Sequence, residues 1–244
     1  MTIIVNMRRI FPPNFLTSAR NNNGYLSPSE KLGKIILSFT HRIDENDIRK
    51  GDPENNEPDL MFKDNSGIEI TFASNRQGNK KSSIAQLKSN YHISGVESEI
   101  IQSINDSVEE KAKKKSKGNY RNVNDISIMV ITLEPYLFWY GYLHGINNPY
   151  VLQSRDEFFQ SLYDSYIANS VFKNIYVLQL TEFKTYNLYN VNEFYKDTND
   201  FIVEIGSDKI ENLPYCELID LEMTEDSILD GFPLITYKYN NEFK

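Results

Sequence analysis

Two carboxylates stand ten residues apart in short apolar runs, Asp59 in Pro58-Asp59-Leu60-Met61-Phe62 and Glu69 in Gly67-Ile68-Glu69-Ile70-Thr71. Each run reads as a strand, and each carries its acid where an apolar residue is expected. Acids on neighbouring strands can share a divalent cation, because carboxylate oxygens are the hard ligands that such ions take. Glu69 carries the stronger signal. It alternates with Ile68 and Ile70, and a charge among apolar neighbours is costly unless it is paired or bound to a metal. The alternative is plain as well: an antiparallel hairpin can expose one face. Glu69 and Thr71 would then be solvated, with Ile68, Ile70 and Phe72 towards the core.

The elements that must position these acids are legible on either side of them. Asp64-Asn65-Ser66-Gly67 supplies turn residues between the two strands, which predicts a hairpin. Upstream, Ser27-Pro28-Ser29-Glu30 opens a helix, with Ser as N-cap, Pro at the first helical position and Glu three residues after the cap. Leu32, Ile35, Ile36 and Phe39 follow at helical spacing, so this helix runs to about His41. A polar connector over 44–57 leads into the hairpin. Downstream, 96–117 returns to helical periodicity with Ile100, Ile101, Ile104 and Val108 on one stripe, and Gly118-Asn119 ends it. Residues 125–133 form a nearly continuous apolar strand, 155–169 an amphipathic helix, and 173–180 another buried strand. The order predicts an α/β fold, a mixed central β-sheet flanked by helices over 1–190. Residues 191–244 are acidic with short strand-like runs, and read as a β-rich C-terminal extension packed on that domain.

Charge is distributed unevenly. The net charge of −8 argues against a protein that coats nucleic acid. Residues 72–124, however, hold ten basic residues against five acids, whereas 181–244 hold five bases against fourteen acids. A basic middle and an acidic tail suggest two surfaces with different partners. The single Cys216 excludes an intramolecular disulfide, and the longest apolar stretch, 126–143, is interrupted by Glu134 and Pro135. A cytoplasmic protein without a membrane span is expected. His41, His92 and His144 lack metal-ligand spacing, and no Walker-type loop, dinucleotide fingerprint or nucleophile elbow occurs.

The sequence of helix, carboxylate strand, Glu-bearing strand, lysine-rich helix and buried strand resembles the core of the PD-(D/E)xK, or restriction-endonuclease-like, nuclease superfamily. The resemblance covers roughly 27–180. It implies a Mg²⁺ (or Mn²⁺) ion held by Asp59 and Glu69, with a lysine assisting the attacking water, and Glu30 is the candidate for a further acid from the first helix. The implied partner is nucleic acid, with DNA the first expectation and prokaryotic restriction or phage defence the setting; a homodimer or a protein partner stays open. The departure is Thr71, which stands where the motif has its lysine. Threonine cannot supply the positive charge that steadies a phosphate in transition. Some members bring that charge from the following helix, and on a helical wheel Lys111 falls between Ile100 and Ile104, extending the stripe that faces the sheet. Lys111 is therefore the candidate for a migrated lysine, although a lysine late in a helix also suits the dipole and can snorkel past a core edge. Glu30 has an ordinary role open to it too, closing a capping box with Ser27. The run Lys113, Lys114, Lys115 and Lys117, with Arg121, could contact phosphates or form a solvated helix end. A nuclease-like protein that no longer cuts, acting as a binding or inhibitor protein, is the competing expectation. It draws on the missing strand lysine and on the acidic C-terminal segment.

Overall fold

The computed structural model describes residues 26–73, 97–121, 123–132, 149–180, 185–196, 202–206, 216–218 and 237–239. Helix α1 (Pro28–His41) begins with the expected capping box. The Ser27 hydroxyl accepts the Glu30 N–H at 3.3 Å, and the Glu30 carboxylate accepts the Ser27 N–H at 2.7 Å. Two otherwise orphaned donors are thereby satisfied. The helix ends at Arg42, whose left-handed backbone (φ 54°) directs its N–H back to the Ser38 carbonyl. Leu32, Ile36 and Leu37 enter the core, while Phe39, on the expected stripe, stays exposed.

A seven-stranded sheet forms the body of the fold, its strands adjacent in chain order. They are β1 (Ile48–Lys50), β2 (Leu60–Phe62), β3 (Gly67–Phe72), β4 (Ile126–Thr132), β5 (Ile175–Leu180), β6 (Thr185–Asn190) and β7 (Ile202–Gly206). β1, β2 and β3 are an antiparallel meander, β3, β4 and β5 run parallel, and β5, β6 and β7 are antiparallel again. The sheet is thus mixed, with helices in the two parallel crossovers: α2 (Glu97–Ser116) between β3 and β4, and α3 (Pro149–Leu162) between β4 and β5. Parallel strands require such crossovers, and the helices must cover the sheet.

Side-chain alternation along the central strands divides the core in two. Ile68, Ile70, Met129, Ile131 and Leu178 pack with α1 on one face. Ile126, Ile128, Val130, Ile175 and Val177 pack with α2 and α3 on the other. Because successive residues point to opposite faces, Glu69 faces the α2 and α3 side. The hairpin is covered on both faces, and the solvated arrangement open to Glu69 in the sequence does not occur: Glu69 is only 5% exposed.

Three further differences from the sequence reading concern element limits. The polar connector contains β1, an edge strand of three residues. Helix α3 starts six residues earlier than expected, at Pro149, and continues through a π-helical turn, Tyr163–Ile167, to Ser170 with φ 57°. The main sheet does not stop at residue 190. A one-and-a-half-turn helix, α4 (Val191–Tyr195), follows β6, and β7 then pairs with β6 from Thr185↔Gly206 to Tyr189↔Ile202. Strands β8 (Cys216–Leu218) and β9 (Tyr237–Tyr239) pair with each other in a two-stranded sheet. Among the described residues no helix is long and apolar enough to cross a membrane.

Candidate functional site

The register of the hairpin brings the two acids together. Strands β2 and β3 pair Leu60 with Ile68, and continuing that register by one residue sets Asp59 opposite Glu69. Cross-strand neighbours on one face lie close enough to interact directly. The backbone ladder stops at Leu60, and the Asp59 side chain takes over from it, accepting the Ile70 N–H at 2.7 Å. Asp59 is held from behind as well, because its carbonyl accepts the Gly51 N–H at 2.9 Å. Pro58 is buried beside it.

Helix α2 delivers the cations. Ser107 docks it on the end of β3, its hydroxyl donating to the Phe72 carbonyl at 3.2 Å. Ile104 and Val108 are fully buried under it. One turn further along the same face, the Lys111 ammonium forms an ion pair and hydrogen bond with Glu69 Oε1, and its side chain is 12% exposed. Lys114 approaches the same oxygen, its Nζ at 3.6 Å, from a side chain 44% exposed. Beyond the helix, Gly118 turns the chain with φ 69°. Tyr120 then comes back beside Glu69, its buried hydroxyl directed towards that carboxylate at a geometry outside that of an ordinary hydrogen bond, and within the field of Asp59.

The electrostatics follow from this crowding. Burial, then the Glu69 charge, push the Asp59 carboxyl up to about 7, against the pull of Lys111 and of the Ile70 N–H; Glu30 adds a smaller push. For Lys111, burial works to lower the ammonium, but the charge and hydrogen bond of Glu69 and the charge of Asp59 outweigh it. The net shift is upwards, and Lys111 stays protonated. Burial and the neighbouring carboxylates raise the Tyr120 phenol, so it remains a neutral donor.

The other residues singled out in the sequence are placed differently. Glu30 is engaged in its capping box, and it acts on Asp59 only through its charge. Lys115, a neighbour of Lys111 on the wheel, turns inwards instead. Its ammonium donates to the Val171 carbonyl and lies 5.9 Å from the centre of the Phe172 ring, which removes it from an outward phosphate-binding surface. Lys113 pairs with Glu109 one turn earlier. Lys117 and Arg121 are exposed, and the Arg121 N–H donates to the Asn56 carbonyl at 3.3 Å, tying this segment to the approach to β2. Lys114 and Tyr120 read from the sequence only as part of the phosphate-contacting run, and their closeness to Glu69 is not foreseen there. Lys114 lies three residues after Lys111, within one helical turn, which was the available signal; no spacing in the sequence ties Tyr120 to Glu69.

As a cation site the arrangement is sparse. Among the described residues no group of three or more His, Cys, Asp or Glu side chains is placed to hold a metal ion. Two repelling carboxylates nonetheless suit Mg²⁺, which typically takes one or two protein carboxylates and completes its shell with water and substrate phosphate. A cleft of about 400 Å³ lies elsewhere, lined by His41, Lys63, Asp64, Lys173 and Tyr176 among others, and Asp59, Glu69 and Lys111 are not part of it. No protein-family model, curated protein or solved structure matches the chain.

Proposed function

We propose that the protein is a divalent-metal-dependent nuclease of restriction-endonuclease-like architecture, hydrolysing phosphodiester bonds of nucleic acid. The observation that carries this reading is the meeting of Lys111 with Glu69 opposite Asp59. A lysine from the helix following the hairpin stands where the strand offers only Thr71, which is partly buried in β3. The order of elements supports the same reading: a helix, an antiparallel three-stranded meander, a crossover helix and a strand parallel to the third.

Asp59 and Glu69 would hold Mg²⁺ or Mn²⁺, which when bound supplies a Lewis acid for the phosphate and a more acidic water. Lys111, kept protonated by its carboxylate neighbours, supplies positive charge for the negative charge that grows on the phosphate oxygens. Lys114 places a second ammonium at the same edge, and Lys117 and Arg121 provide exposed charge for longer-range attraction of a polyanion. DNA is the first substrate to test, and prokaryotic phage defence, in the cytoplasm, is the setting that the family resemblance suggests.

One observation favours a second reading, a nuclease-like protein that binds without cutting. The Lys111–Glu69 pair is buried and mutually neutralising, so it could serve as a structural bridge alone. Calorimetric titration with Mn²⁺ separates the two. The nuclease reading expects binding by the wild type and its loss in Asp59→Ala and Glu69→Ala; no binding by the wild type, together with capture of a tight protein partner, supports the second.

A further inference from the structure

On the face of the sheet opposite Glu69, the cleft of about 400 Å³ opens at the C-terminal end of α1 and the N-terminal ends of β3, β4 and β5. Its volume falls within the range of about 300–1,000 Å³ usual for small-molecule sites. Apolar and aromatic side chains make its floor: Leu37, Ile68 and Tyr176 are buried there, and Phe62 lines it half-buried. The Tyr176 hydroxyl and His41 Nε2 share a hydrogen bond of 3.0 Å, with the two rings edge to face at 5.7 Å. The orientation of the His41 ring is thereby preset. Burial holds this imidazole below its ordinary 6.5, so it is neutral at pH 7.

The charges around the cleft cancel. Lys63 and Lys173 line it together with Asp47 and Asp64. Lys63 pairs with Asp47, and Lys173 with Asp125 at 3.1 Å. Asp64 accepts the Ser66 N–H and hydroxyl at 2.9 and 2.5 Å. The carbonyl end of α1 adds a weak negative field. An anionic ligand would meet the aspartates and that helix end, and an ammonium would meet the lysines. What remains is apolar and aromatic surface with neutral hydrogen-bonding groups, the His41 imidazole, the Ser127 hydroxyl and the Asn192 amide. An aliphatic ligand would leave those groups unpaired, and a sugar alone would leave the aromatic floor unmatched.

We propose that this cleft binds an uncharged nucleoside, its base against the aromatic and aliphatic floor and its polar edge and ribose hydroxyls towards His41, Ser127 and Asn192. A base gains by stacking on aromatic side chains, and a few placed polar groups fix its orientation. The cleft shares no residue with the Asp59–Glu69 pair, so the inference does not rest on the nuclease reading.

The test is calorimetric binding to the full chain in EDTA, with adenosine, guanosine, cytidine and uridine, their 5′-monophosphates, and ribose. The wild type is expected to bind at least one nucleoside with a dissociation constant below about 1 mM, its monophosphate no more tightly, and ribose not measurably. His41→Ala and Ser127→Leu, each checked for folding by circular dichroism, should weaken that binding at least about tenfold; if Ser127→Leu does not fold, His41→Ala decides. No nucleoside binding by the wild type, or undiminished binding in either folded variant, overturns the assignment of the cleft. A monophosphate that binds more tightly than its nucleoside, or ribose that binds as well as any nucleoside, overturns the ligand chemistry.

Discussion

The Asp59 carboxylate accepts the backbone N–H of Ile70 at 2.7 Å, so a side chain at the start of one strand satisfies the main chain of the next. The bond fixes Asp59 opposite Glu69, and it does so against the repulsion of two carboxylates in a partly buried place. Lys111 offsets that repulsion in part, and the Asp59 carboxyl, pushed up first by burial and then by the Glu69 charge, is raised to about 7. A divalent cation is the ligand that such a pair would gain most from binding.

That raised carboxyl sets the direction of a pH dependence. Unfolded, Asp59 titrates near its ordinary 3.8; folded, near 7. The native state therefore binds the proton more tightly. The contribution of Asp59 to stability falls as pH rises from about 4 to about 7 and is constant above that. Glu57 acts in the opposite sense. Its hydrogen bond with Arg49 holds its carboxyl down to about 2, so its contribution is lost as pH falls from about 4.5 towards 2. Taken together, the contributions of these two groups are greatest near pH 4 to 5. Asp59→Asn should remove the decline towards neutrality and exceed the wild type at pH 8 by up to a few kcal/mol. Urea denaturation at pH 5 and pH 8 measures this, and parallel losses in both proteins would show that Asp59 is not perturbed.

The Lys111–Glu69 pair should be strongly coupled. Lys111→Met leaves a buried carboxylate whose remaining cationic neighbour among the described residues is the half-exposed Lys114, at an expected cost of about 3–5 kcal/mol. Adding Glu69→Gln removes the stranded charge and should restore most of that loss. A double-mutant cycle reads the coupling directly, and additive effects would mean that the pair contributes little.

Gly51 tests the positioning of Asp59 from a residue with no chemistry of its own. A Cβ there would meet the Pro58 carbonyl oxygen at 1.7 Å, a backbone atom that cannot step aside without moving Asp59. Gly51→Ala should cost about 1–3 kcal/mol, as overpacking does, and weaken Mn²⁺ binding in calorimetry. Retained binding at wild-type strength would show that the site tolerates displacement of this link.

Much of the fold was legible because local chemistry and global packing agree. The capping box of α1, the turn residues of the hairpin and the apolar runs of β4 and β5 each read the same way alone and in the fold. Lys111 could be found because a helical wheel carries the apolar stripe to it. The same wheel carries the stripe on to Lys115, and the Val171 carbonyl and Phe172 ring that receive its ammonium show why that side chain turns inwards. The burial of Glu69 was not legible, since alternation says which residues share a face but not what covers it. Strand β1 was hidden because an edge strand of three residues within a polar connector has no period to read. Strand β6 ends at Asn190, the point at which the acidic composition begins, and its partner β7 lies beyond that boundary.

The most direct test is cleavage of plasmid DNA, single-stranded DNA and RNA in Mg²⁺ or Mn²⁺ by the wild type, Asp59→Asn and Glu69→Gln, with folding of each variant checked by circular dichroism. The account predicts metal-dependent cleavage by the wild type, abolished by chelation, and at least about a hundredfold slower in either variant, since each removes a metal-binding carboxylate. Undiminished cleavage by both variants, or no cleavage by the wild type under any of these conditions, would contradict it.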